Sequence, residues 1–125
     1  MTISINRGVL VSAMLLIPGA VLTSQQSNPP QRIPQFENAD VAVWKTTVMP
    51  NAPLQMHTHD HPRVIVALQG GTMKILEESG QSELHEWQTG KAYWLPANPP
   101  GTRHQDVNVS REPIEVMVVE LQKAK

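Results

Sequence analysis

From Asp40 onward, apolar residues recur at every second position and never for long at the 3.6-residue spacing of a helix. Val41-Ala42-Val43-Trp44-Lys45-Thr46-Thr47-Val48 is β-branched and alternating, and Met49-Pro50-Asn51 stops it. The same logic predicts strands over 54–59, 63–68, 72–76, 83–87, 92–95, 103–109 and 114–121. Between the fourth and fifth of these eight, Glu78-Ser79-Gly80-Gln81 has hairpin composition. About eight short strands, with turn signals every ~8–12 residues, predict an all-β sandwich or barrel.

The segment before this body has a different character. One charge, Arg7, precedes an apolar run from Gly8 to Leu22, with Pro18, Gly19 and Ala20 near its end. That run falls short of the ~20 residues a bilayer span needs. The order of positive, apolar and small residues is that of a secretory signal over 1–24, so the chain is expected in the periplasm or outside the cell. Residues 25–39 are polar and proline-rich, a tether whose end could add to a sheet edge. Residues 40–125 are then one domain, small enough that a homodimer through an edge strand or a face is expected.

Composition narrows the chemistry by exclusion. Ten Lys and Arg against eleven Asp and Glu give a formal charge of −1, with no surplus of cations for a phosphate backbone. No nucleic-acid partner is expected, and no membrane association once the signal is removed. There is no cysteine, so disulfides, zinc ribbons, thiol nucleophiles and iron–sulfur clusters are excluded. No serine lies in a nucleophile-elbow pattern, and no phosphate-cradling loop is present.

The histidines are what remains. Three of five fall in His57-Thr58-His59-Asp60-His61. On a strand, His57 and His59 project to one face, while Pro62 keeps His61 from joining them. His104 opens a later strand after the Gly101 turn. Imidazole suits Zn, Fe, Ni and Cu, so three convergent rings can form a facial metal site. A His-x-His pair alone is equally compatible with a surface His-rich loop.

The spacing resembles that of the cupin superfamily, whose first motif is G-(x)5-H-x-H-(x)3,4-E-(x)6-G. Asn51 stands at the first glycine, His57 and His59 at the histidines, and Gly70 at the last glycine. Asn tolerates the left-handed turn that glycine supplies there. The second motif, G-(x)5-P-x-G-(x)2-H-(x)3-N, is matched by Gly90, Pro96, Gly101, His104 and Asn108, with three extra residues between Pro96 and Gly101. The resemblance implies a small double-stranded β-helix, the RmlC-like jelly roll. It also implies a mononuclear divalent metal (Fe, Zn, Ni, Mn or Cu) on His57, His59 and His104.

Where the family carries its glutamate ligand this chain has Arg63. A guanidinium stays protonated and has no lone pair to give a metal. Three readings follow. The site is a three-histidine centre with Arg63 holding an anionic molecule; or Asp60 or His61 supplies a fourth ligand; or the barrel is metal-free and Arg63 clamps an anion. A structural ion pair of Arg63 with Glu115 or Glu120 is the plainest alternative to all three. Gln55 shares the face of His57 and is expected to bond a ligand. Tyr93 and Trp94, just before the second motif, are expected to face it. His85 is expected on an exposed hairpin face, and Asn108 at a turn. An enzyme of this kind would be a metal-dependent oxygenase or isomerase, although Arg63 removes the most obvious general base.

Overall fold

The computed structural model of the chain describes residues 19–20 and 31–123. The expected signal over 1–24, residues 19–20 apart, and the stretch 25–30 lie outside the described residues. Eight strands follow: β1 (Gln31–Glu37), β2 (Val41–Val48), β3 (Arg63–Gln69), β4 (Gly71–Glu77), β5 (Ser82–Trp87), β6 (Ala92–Leu95), β7 (His104–Asn108) and β8 (Ile114–Leu121). They form two antiparallel sheets, one in the order β1-β2-β8-β3-β6 and the other β5-β4-β7. No helix occurs among the described residues.

The alternation seen in the chain is what the sheets bury. On β3 the residues Arg63, Ile65 and Ala67 face inward, and on β8 so do Ile114, Val116 and Val118. The two strands are neighbours, with Ile65 opposite Val118 and Arg63 opposite Glu120. Their apolar residues meet Trp44, Val48, Met73 and Trp87 in one core. Burial of such side chains is the main favourable term in the fold.

Asn108 closes one end of the molecule. It is fully buried, and its Nδ2 donates to the carbonyls of Val48 (2.9 Å) and Glu112 (2.8 Å). Its Oδ1 accepts from the Ser110 amide at 2.8 Å, so β2, β7 and the turn into β8 share one buried side chain. Beside it, Asn51 adopts the left-handed conformation expected of it, with φ 54°, and its amide donates to the Asn108 carbonyl.

One element takes up a possibility the tether left open, and another departs from expectation. Residues 31–37, placed in the tether, form the edge strand β1, paired with β2 from Gln31–Thr47 to Glu37–Ala42 and bulged between Pro34 and Phe36. Residues 32–37 are all exposed, so no burial alternation betrays the strand, and its proline is tolerated because the edge lacks a second partner. Conversely, 54–59 is not a strand. Only His57 bridges to His104, and Pro53 and Pro62 bracket a segment too short to build a ladder.

Candidate metal centre

The 54–59 segment is a loop pinned to β7. The Leu54 amide donates to the Asp106 carbonyl (2.9 Å), and His57 and His104 exchange two backbone hydrogen bonds of 2.8 Å. Arg103 Nη2 adds a bond to the Met56 carbonyl at 3.1 Å. His59 is held from the other side. Its amide donates to Asn98 Oδ1, and its carbonyl accepts from the Asn98 amide, both at 2.8 Å. Asn98 lies in the extra residues between Pro96 and Gly101, so that insertion positions a histidine. Gly101, at φ 76°, makes the turn that brings the chain back to His104.

The three rings converge as expected. Centroids of His57 and His104 lie 4.6 Å apart, His57 and His59 4.8 Å, and His59 and His104 5.4 Å. One nitrogen of each lies within 4.8 Å of the others. The His57 Nδ1–H donates to the Gln55 carbonyl at 2.7 Å, which fixes the tautomer and leaves Nε2 with its lone pair free. His104 is buried, and its Nε2 has no hydrogen-bond partner. Two carboxylates border the cluster: Asp106 reaches within 3.8 Å of His57 Nε2 and 3.6 Å of His104 Nε2, and Glu120 within 3.7 Å of His59 Nδ1.

The electrostatics keep His59 and His104 neutral. Burial, then the Arg63 charge, then the two neighbouring histidines and Arg32, lower the His59 pKa to about 3. His104 is also lowered, chiefly by burial, with Asp106 opposing the shift. Neutral imidazoles with unshared lone pairs are the form a metal requires. The donor set and the orphaned His104 Nε2 therefore fit a divalent transition metal ion.

Arg63 closes no ion pair among the described residues. Glu115 sits with Lys45 Nζ at 3.7 Å, and the Glu120 carboxylate approaches His59. Arg63 is buried, and its Nη1 has no hydrogen-bond partner. Burial lowers its pKa, with Asp106 and Glu120 opposing, so the guanidinium faces two acids without closing on either.

These groups border a cavity of about 1160 Å³ between the sheets, floored by core residues such as Trp44, Met73 and Val118. Such a volume admits a drug-sized molecule. Gln55 lies on its rim, exposed, and serves His57 through its carbonyl. Tyr93 and Trp94 do not line it. The Tyr93 hydroxyl accepts from the Gln88 amide at 2.8 Å, and Trp94, opposite Val64 on the outer face, is 58% exposed. One strand's alternation does not say which face is inward; the register with β3 does. Asp60 and His61 also border the cavity, but the cluster of converging donors comprises His57, His59 and His104.

Four residues border the cavity without having been read as part of the site. Arg32 lies on the edge strand β1, its guanidinium 3.7 Å from the centroid of the Trp44 ring. His85, hydrogen-bonded to Glu83 and half-exposed as expected, also borders the cavity. Glu120 shares the inward face of β8 with the core valines. Asp106 stands two positions after His104, so the strand period puts both on one face.

An all-β double-stranded helix with imidazoles gathered between its sheets is the cupin fold. The chain belongs to the family of the beta-alanine degradation protein BauB of Pseudomonas aeruginosa, to which it is 35% identical over 97 residues, covering 75% of this chain and 95% of that one. Among solved structures it resembles a cupin domain from Bordetella pertussis Tohama I. The TM-score is 0.66 at 23% identity, over 77% of this chain and 95% of that one. It also resembles an RmlC-like cupin from Methanocaldococcus jannaschii, with a TM-score of 0.58 at 12% identity, over 78% and 84% of the two chains. At these identities the structural likeness establishes the fold. No protein-family model matches the chain.

Proposed function

We propose that this protein is an exported cupin that holds one divalent transition metal ion on His57, His59 and His104. There it binds or acts on a small anionic molecule steered by Arg63. The observation that carries the reading is the meeting of three imidazoles, one with a buried and unpartnered Nε2, inside a cavity open to a ligand. A buried polar atom without a partner costs about 1–3 kcal/mol, which an occupant of the site would recover.

The ion would act as a Lewis acid or oxygen activator. The chain's own residues do the rest. The Gln55 carbonyl and Asn98 hold His57 and His59 in place. Arg63 Nη1 offers a donor and a charge to a carboxylate, and the apolar floor excludes water from the molecule's other end. The name of the Pseudomonas relative ties it to beta-alanine, a small amino carboxylate with the charge Arg63 would take. Arg63's unpaired Nη1 also favours a second reading, a metal-free barrel that binds a small anion. The apolar run after Arg7 supports export, and N-terminal sequencing of exported protein should begin near residue 25.

His104→Ala tests the metal reading. The variant should lose its metal and the thermal stability that metal confers. Unchanged metal content and unchanged stability would refute it and leave the anion-binding barrel.

A further inference from the structure

The three histidines leave a question of charge. A divalent ion beside the buried Arg63 guanidinium would sit in a strongly positive site unless an anion belongs to it. Asp106 is placed to be that anion. It follows His104 by two on β7, so both side chains enter the cavity from one strand face.

Its two carboxylate oxygens face two different imidazoles: Oδ1 lies 3.6 Å from His104 Nε2, and Oδ2 3.8 Å from His57 Nε2. Both distances are too long for hydrogen bonds. They are close to the separation of two donors on one metal, since donors ~2.1 Å from a tetrahedral ion lie about 3.4 Å apart. His57 Nε2 cannot be turned elsewhere, because its Nδ1–H is committed to the Gln55 carbonyl. His104 Nε2 has no other partner. Glu120 differs in that it approaches one imidazole, His59, at Nδ1 and 3.7 Å, where an outer-shell carboxylate would orient the ring.

We infer that Asp106 is the fourth protein ligand, so that the carboxylate missing at position 63 enters from the opposite sheet. Arg63 is thereby freed to face the bound molecule. The inference rests on the metal-centre reading.

The test titrates metal-free protein with Co(II) alone, reading affinity by chelator competition and the ligand-field spectrum. Wild type, Asp106→Asn, Asp106→Glu and Glu120→Gln are compared, with circular dichroism as the check on folding. Wild type should bind one equivalent. Asp106→Asn should lose more affinity than the ~10–100-fold an outer-shell partner costs, and its residual complex should show an altered spectrum. Glu120→Gln should stay within that range and keep the wild-type spectrum. If Asp106→Asn does not fold, Asp106→Glu carries the test. It keeps the carboxylate but displaces it by a methylene, so it should bind Co(II) with a changed spectrum. Wild-type affinity and spectrum in a folded Asp106→Asn, or a wild-type spectrum in Asp106→Glu, would overturn the assignment while leaving the three histidines standing. No binding by the wild type would overturn the metal centre itself, and this assignment with it.

Discussion

At one end of β7, Asn108 is fully buried and makes three side-chain hydrogen bonds; at the other end, His104 is nearly as buried and its Nε2 makes none. Arg63, across the cavity from His104, likewise keeps a buried Nη1 without a partner. The two regions are built from the same strands and the same alternation. At the closed end every polar group is satisfied internally, as stability requires. At the open end the unsatisfied groups all border one cavity. The difference separates what holds the fold from what is held ready for a ligand.

Removing polar side chains from the two ends should therefore have opposite consequences. The largest effect belongs to Asn108→Ala, which breaks three buried hydrogen bonds and should cost about 2–4 kcal/mol in urea unfolding, with metal affinity unchanged. A loss below about 1 kcal/mol would mean that the closed end does not anchor the sheets.

Acid comes next. His59 is held neutral down to about pH 3, against an ordinary value of 6.5. Between those values the unfolded chain binds a proton that the folded metal-free protein does not. Stability should thus fall as pH drops through that window, by as much as a few kcal/mol, and His59 should contribute no slope above it. Urea unfolding of His59→Gln isolates the term. An equally steep decline in the variant would assign the acid sensitivity to the carboxylates instead.

The smallest change in stability is expected at Arg63. Arg63→Met removes a buried, unpaired cation, so unfolding should be unaffected or improved by about 1–2 kcal/mol. Metal affinity should hold or rise, and binding of a small carboxylate such as beta-alanine should be lost. A destabilisation of about 3–5 kcal/mol would instead mark Arg63 as half of a structural pair.

Most of this architecture could be read along the chain, because β-strands buried on one face announce themselves by period. The bounds expected for β2, β6 and β8 match those observed. Less legible was structure held by backbone bonds. β1 has exposed side chains throughout 32–37, and 54–59 looks like a strand although only one bridge pairs it. The histidine triad was legible because its spacing is distinctive. The orientation of Trp94 was not, since its face is set by pairing with Val64. Asp106 was in principle within reach as the second residue after a candidate ligand on a strand. Its position matters only once His57 and His104 are known to meet.

The most direct test of the account is the metal content of the protein purified without a His-tag or chelator, in moles of each element per chain. The account predicts close to one equivalent of a single transition metal. Its identity would then narrow the chemistry, with iron pointing to oxygenases. Metal near zero, not restored by adding ions back to the folded protein, would contradict it and leave a cavity whose business is a small anion at Arg63.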